Sequence, residues 1–179
     1  MAVSNKSEAS TRKATPAAIR EVSRENNEDS PVVGALRQQL ANAFLLYLNY
    51  KRYHWQTHGP LFRDLHKLFD EFAGEVLAST DELAERIRMI GQDPPSTPSE
   101  LERLATVTPS DTVSSMREMI AEADRQSLVV IAEMRAAIKV AEEHDDPGTQ
   151  DLLTRLVQVH EKQEWWLRDI LRKDDGFYK

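Results

Sequence analysis

The chain has 179 residues, 40% of them hydrophobic and 30% charged, with a net charge of −7 and no cysteine. That length suits one domain with a sizeable core. The missing cysteines exclude disulfides, thiol nucleophiles and cysteine-ligated zinc or iron–sulfur sites, so any transition metal must be held by histidine and carboxylate. The densest apolar run is "FLLYL" at 44–48, far short of the ~20 residues of a membrane span. The N-terminus lacks the charged-then-apolar layout of a secretory signal, so the expectation is a cytoplasmic protein without membrane contact.

Residues 1–30 carry five basic and five acidic side chains, which leaves the whole −7 on residues 31–179. An acidic body repels nucleic acid and attracts cations. The first segment is polar and rich in Ser, Asn, Thr and Glu, and is expected to be a flexible tail over 1–30 ahead of a folded body over 31–179. Its first 24 residues are +3, enough for weak, salt-sensitive DNA binding at most.

From Pro31 the pattern turns helical. Leu36, Leu40, Ala43, Phe44 and Tyr47 follow the 3–4 spacing of an amphipathic helix, which should end near His58, before Gly59-Pro60. A second helix is expected from about Pro60 to Ile90, stopped by Gly91. Thr97-Pro98-Ser99-Glu100 has the form of a capping box with proline at the first helical position and should open a short helix through "LERLA". Thr108-Pro109-Ser110-Asp111 repeats the signal and should open a third long helix to about His144. Asp146-Pro147 should start a fourth, through about Leu171. The pattern predicts an all-α antiparallel four-helix bundle with a short extra helix in the long connection between helices 2 and 3.

Three of the five histidines, His54, His58 and His66, crowd around the Gly59-Pro60 break. On the second helix His66 and Asp70 are four apart, and so are Asp81 and Glu85; each pair shares a face. The pairs lie on one stripe, because Asp70 and Asp81 are eleven residues apart, close to three full turns. Eleven residues rise about 16 Å, whereas metal–ligand bonds are about 2 Å, so one ion cannot take both pairs of one helix. Two antiparallel copies, with a two-fold axis near Glu75–Val76, would set Asp81 and Glu85 of one against His66 and Asp70 of the other and create two equivalent sites. His54 could fold back across the turn as a further ligand. Imidazole with carboxylate suits Fe(II), Zn(II) or Mn(II). The bland alternative is solvated helix faces, with Asp81 and Glu85 paired to Arg86 or Arg88.

The stretch "YHWQTHGPLFRDLHKLFDEFAGEVLASTDELAERIRMIG", residues 53–91, resembles the Dps family, the ferritin-like mini-ferritins of bacteria. The residues that carry the likeness are His54-Trp55, Gly59, Phe62, Leu65-His66, Asp70 and Asp81-Glu82-Leu83-Ala84-Glu85-Arg86, and "DLLTRLVQVHEKQEWWLRDIL" is similar to the family's last helix. The resemblance covers roughly residues 31–175. It implies a hollow homododecamer with a ferroxidase centre between subunits, where His54, His66 and Asp70 of one meet Asp81 and Glu85 of its neighbour. The implied reaction oxidises Fe(II), preferentially with hydrogen peroxide rather than O2, and stores Fe(III) as mineral, which protects DNA; zinc is an alternative occupant. By the same resemblance, Asp146 and Asp151 line a pore that admits Fe(II), although an acid in Asp146's position also caps a helix. Trp55, beside His54, is either core packing or a sacrificial electron donor. His58, which departs from the commonest family pattern, is either an added ligand or a solvated helix end. Trp165 and Trp166 are expected in core or subunit packing. The rival function is a DNA-condensing nucleoid protein with a residual or zinc-filled site.

Overall fold

The structure is a computed structural model that describes residues 30–111 and 115–172. Of the expected tail over 1–30, residues 1–29, and with them the expectation of DNA binding, lie outside the described residues. Those described form five helices and no strand: α1 (Pro31–Gln56), α2 (Phe62–Met89), α3 (Pro98–Leu104), α4 (Met116–Glu143) and α5 (Pro147–Leu171).

The helix ends follow from side chains that compete for the backbone. α1 stops two residues before the expected His58, because Thr57 leaves the helical region and its hydroxyl donates to the His54 carbonyl at 3.0 Å. Gly59, at φ +82, then turns the chain. The N–H of Phe62 goes back to the Gly59 carbonyl at 3.0 Å, so α2 begins at Phe62 rather than Pro60. At the other end of α2, Gly91 at φ +88 lets the Gln92 N–H reach the Ile87 carbonyl at 3.1 Å, a Schellman stop. The capping box of α3 forms as expected: Thr97 accepts from the Glu100 N–H, and Glu100 accepts from the Thr97 N–H at 3.0 Å. These bonds to the charged form hold the Glu100 carboxyl below the usual carboxylate range.

The expected start of the third long helix at Thr108-Pro109-Ser110-Asp111 is wrong. α4 begins at Met116, capped by the Ser115 side chain. The Thr108–Ser110 segment is claimed by α1 instead. Asn49 donates to the Thr108 carbonyl at 2.9 Å and accepts from the Ser110 N–H at 2.8 Å. A backbone held by a neighbouring helix cannot also turn into its own. Asn42, seven residues earlier, clamps the same connection by accepting the N–H groups of Thr106 and Val107 at 2.8 and 3.1 Å.

These contacts also fix the topology. Arg37 meets the Asp93 carbonyl, Asn42 meets Thr106, and Arg52 meets the Asp111 carbonyl, so the long connection climbs beside α1 in the same direction. It therefore delivers α4 to the end of the bundle where α1 finishes. Glu75, Glu82 and Arg86 on α2 pair with Lys162, Arg155 and Asp146 respectively, and the falling second numbers show that α2 and α5 run antiparallel. α1 packs along α2, and α4 along α5.

The core holds Leu36, Leu40, Leu46, Phe69, Phe72, Leu83, Met134, Leu153 and Leu167, with Tyr50 and Tyr53. One polar layer crosses it. The Tyr50 hydroxyl meets Ser127 Oγ at 2.8 Å and donates to Gln163 Oε1 at 3.2 Å, and Gln163 Nε2 donates to Glu75 at 2.9 Å. A bond set that touches all four long helices specifies their register. Burial pushes the Tyr50 hydroxyl well above its ordinary range.

Gln39 breaks this economy: it is 0% exposed and neither atom of its amide has a partner among the described residues. An unpaired buried amide costs about 1–3 kcal/mol. Gln39→Met, similar in volume, is therefore expected to stabilise the fold by about 1–2 kcal/mol and raise the melting temperature by a few degrees. Calorimetry of both chains checks this; a lower melting temperature would show that the amide is satisfied in the protein.

Candidate metal centre

The turn 57–61 lays the start of α2 against the end of α1, and this packing builds the site. The rings of His54 and His66 stack with centroids 3.7 Å apart. Each Nδ1 meets the other residue's backbone carbonyl, His54 on His66 at 2.7 Å and His66 on His54 at 2.9 Å. A carbonyl only accepts, so both Nδ1 atoms carry hydrogen. In the neutral ring this leaves each Nε2 as a bare lone pair, the form in which histidine binds metal. Phe62 stacks on the far side of His66 at 5.0 Å and fixes that ring further.

Asp70 completes the group. Its Oδ1 lies 4.0 Å from His54 Nε2 and 2.7 Å from the Lys51 ammonium. The Lys51 hydrogen bond and charge hold the Asp70 carboxyl below the usual carboxylate range. His54, His66 and Asp70 are thus together in one chain. Asp81 and Glu85 are exposed farther along α2. Among the described residues of the single chain, no three histidine, aspartate or glutamate side chains converge as a metal site.

The remaining candidates sort by position. Trp55 is 68% exposed, so it is not core packing within the chain; the Lys51 ammonium lies 5.9 Å from its ring centre. His58 is exposed and its Nδ1 meets the Gln56 carbonyl at 3.1 Å, an arrangement that suits a helix-end residue. It faces a cavity lined by Leu61, Met116, Arg117 and Leu171. Asp146 is the N-cap of α5. One carboxylate oxygen takes the Thr149 N–H at 3.0 Å and Arg86 at 2.5 Å; the other takes the Thr149 hydroxyl at 2.7 Å. Its charge is engaged locally, as the capping alternative requires. Asp145, grouped with Asp146 in sequence, ends α4 instead, in the left-handed region at φ 52. Asp151 is exposed, close in charge terms to Arg155, which is bound to Glu82. Trp166 packs on Phe72 at 5.9 Å, and Trp165 is half exposed.

Sequence reasoning passed over Lys51. Its signal was present: it stands one turn before His54 and Trp55, on the face they share. It also passed over His160, buried at 1% exposure with an Nδ1 that has no partner among the described residues. An apolar-looking helix position gives no sign of that.

Four long helices with a short helix in the connection between the second and third make a ferritin-like bundle, although histidine and carboxylate gathered on an outward face depart from the usual di-iron bundle, whose ligands project inward. The ferritin-like domain pattern matches residues 33–177. The chain is similar to DNA protection during starvation protein 1 of Deinococcus radiodurans, with 35% identity over 148 residues, 82% of this chain and 72% of that protein. It is similar in structure to Dps from Thermosynechococcus elongatus, at TM-score 0.80 and 47% identity, over 83% of this chain and 94% of that one. The Dps protein of Vibrio cholerae, described as a member of a superfamily of ferritin-like diiron-carboxylate proteins, matches at TM-score 0.75 and 28% identity, over 79% and 89% of the two chains. The chain belongs to the Dps family of ferritin-like proteins. No helix among the described residues is long and apolar enough to cross a membrane.

Proposed function

We propose that this protein oxidises Fe(II), preferentially with hydrogen peroxide, at centres shared by two copies of the chain, and stores the Fe(III) as mineral inside a hollow dodecamer. The observation that carries this reading is the reciprocal His54–His66 pair, which presents two bare Nε2 lone pairs beside the Asp70 carboxylate. The description of the Vibrio relative as diiron-carboxylate favours iron as the metal.

The second half of the centre comes from a two-fold partner. His66 and Glu85 share a midpoint with Asp70 and Asp81, between Glu75 and Val76. Antiparallel α2 helices crossing there would set His66 opposite Glu85 and Asp70 opposite Asp81. The face that would meet the partner is unusual for a lone chain. Trp55 and Leu77 are 68% and 42% exposed, and Gly74 lies exposed in mid-helix with open space where a Cβ would sit. Glycine in a helix interior costs about 0.5–1 kcal/mol, a cost that the close approach of a second helix would explain.

In this centre His54 and His66 supply neutral nitrogen, and three carboxylates supply the negative charge that favours Fe(III) over Fe(II). Two Fe(II) each give one electron to peroxide; the O–O bond breaks and two protons are taken up, leaving two Fe(III) and two waters. Consuming both reactants denies them to hydroxyl-radical chemistry and so protects DNA. Trp55 stands at the edge of the site as an electron donor, and Asp151 is the pore acid. Asp146 holds the start of α5.

The test is anaerobic loading with Fe(II), then peroxide, with Fe(III) followed by absorbance. The expected result is fast oxidation that a His66→Ala, Asp81→Ala double variant loses. Oxidation no faster than in buffer would overturn the reading and turn attention to zinc at His58.

A further inference from the structure

The Lys51 ammonium occupies a place that a metal ligand set has no use for. It stands 2.7 Å from Asp70 Oδ1, the same oxygen that faces His54 Nε2 across 4.0 Å. Two donors about 2.1 Å from one ion stand about 3.0–3.4 Å apart. A metal shared by His54 and this oxygen therefore needs the carboxylate to move toward the imidazole, away from the ammonium. Lys51 is not free to follow. Its side chain is only 20% exposed, it belongs to the same helix as His54, and its ammonium lies near the face of Trp55.

We propose that Lys51 is a built-in competitor at this centre: its ammonium holds the Asp70 carboxylate away from His54, and an arriving divalent ion must displace it. The inference rests on the reading of His54, His66 and Asp70 as metal ligands and adds what regulates them. The ammonium neutralises a carboxylate that would otherwise face two bare imidazole nitrogens and draw in any passing cation. Monovalent ions gain too little from one carboxylate to replace a +1 charge already in contact with it. A divalent ion gains both the carboxylate and the imidazoles, and only then is the exchange favourable. Lys51 thus sets a threshold on loading that depends on the charge of the ion. It acts through Asp70 and is a positioning residue for the centre, not a ligand.

The competing role and a merely structural one predict opposite signs. A residue that only held Asp70 in place would, on removal, loosen metal binding. A competitor, on removal, tightens it. Because Asp70 is 56% exposed, the gain is limited to that of an exposed ion pair, about threefold to fivefold in affinity. The experiment titrates the full chain with Co(II), without oxidant, following the cobalt absorption bands in the wild type, Lys51→Met, Lys51→Arg and His66→Ala. The expected pattern is binding in the wild type that His66→Ala weakens sharply, tighter binding in Lys51→Met, and near-wild-type binding in Lys51→Arg. Lys51→Met that binds no tighter than the wild type, or more weakly, overturns this inference and leaves the site reading intact. A wild type that binds no Co(II), or one indifferent to His66→Ala, overturns the site reading and this inference with it.

Discussion

Combining a His66→Ala chain with an Asp81→Ala chain in one assembly is expected to restore peroxide-driven Fe(II) oxidation that neither variant retains alone. In the proposed two-fold dimer each variant by itself would break both centres, because each centre would draw His66 from one chain and Asp81 from the other. Loss of a ligand should lower the rate by about two orders of magnitude or more, as removal of a group that orients or stabilises the reacting centre does. In a mixed dimer one centre carries both defects and the other carries none. With random pairing about half the dimers are mixed, so about a quarter of all centres are intact. Co-expression from differently tagged copies, purification through both tags and a peroxide-oxidation assay measure this. Recovery near that fraction supports a centre built across two chains. No recovery, with both variants folded, would place the whole centre within one chain and overturn the two-fold proposal.

Below neutral pH the fold is expected to lose about 3 kcal/mol through a single histidine. His160 is buried on α5, and burial pushes its pKa from 6.5 down to about 4. Gln163 and the Glu75 charge, which favour the protonated ring, oppose that shift only in part. The sign follows from linkage. Above pH 6.5 the ring is neutral in both folded and unfolded chains and costs nothing. As pH falls from 6.5 toward 4, the unfolded chain takes up a proton that the folded chain refuses, so stability drops by about 1.4 kcal/mol per pH unit. Below about 4 the folded ring is protonated too and the loss stops growing. Denaturant unfolding of the wild type and His160→Gln between pH 7 and 4 isolates this term, because the other titrating groups are common to both. The variant should show a flatter profile. Parallel profiles would mean that His160 is hydrated in the protein.

Asp146 should add to this loss only at lower pH. Its carboxyl is held below the usual range, against the cost of burial, by its bonds to Thr149 and Arg86. The stability it contributes is therefore present above the ordinary carboxylate pKa and is lost as pH falls through its own, lower value.

Helix existence was legible along the whole described chain because burial there is periodic. Leu36, Leu40 and Ala43 repeat at helical spacing and are all buried, and the Thr97–Glu100 box is a local device whose bonds close within four residues. What failed was the start of α4. Thr108-Pro109-Ser110-Asp111 satisfies the same local pattern as Thr97–Glu100. Yet Asn49, some sixty residues earlier, takes its backbone groups. Two equal local signals were separated by a distant side chain that no window around Thr108 contains.

The candidate site divides in the same way. Spacing alone showed that His66 and Asp70, and Asp81 and Glu85, form two pairs on one face of α2, and that one ion cannot reach both, because helical rise per residue is fixed by the backbone. The absence of cysteine also restricted the candidate ligands to histidine and carboxylate. Only the tertiary structure decided the state in which those candidate side chains are held. The turn at Gly59 sets α1 against α2 so that each imidazole takes the other's carbonyl, which leaves both Nε2 atoms bare. The same packing brings the Lys51 ammonium onto Asp70; on α5, burial leaves the His160 Nδ1 without a partner among the described residues. Periodicity assigns a residue to a face. The protonation, tautomer and partner of its side chain depend on what the neighbouring helix places within about 3 Å of it, and that is set by the packing of the helices.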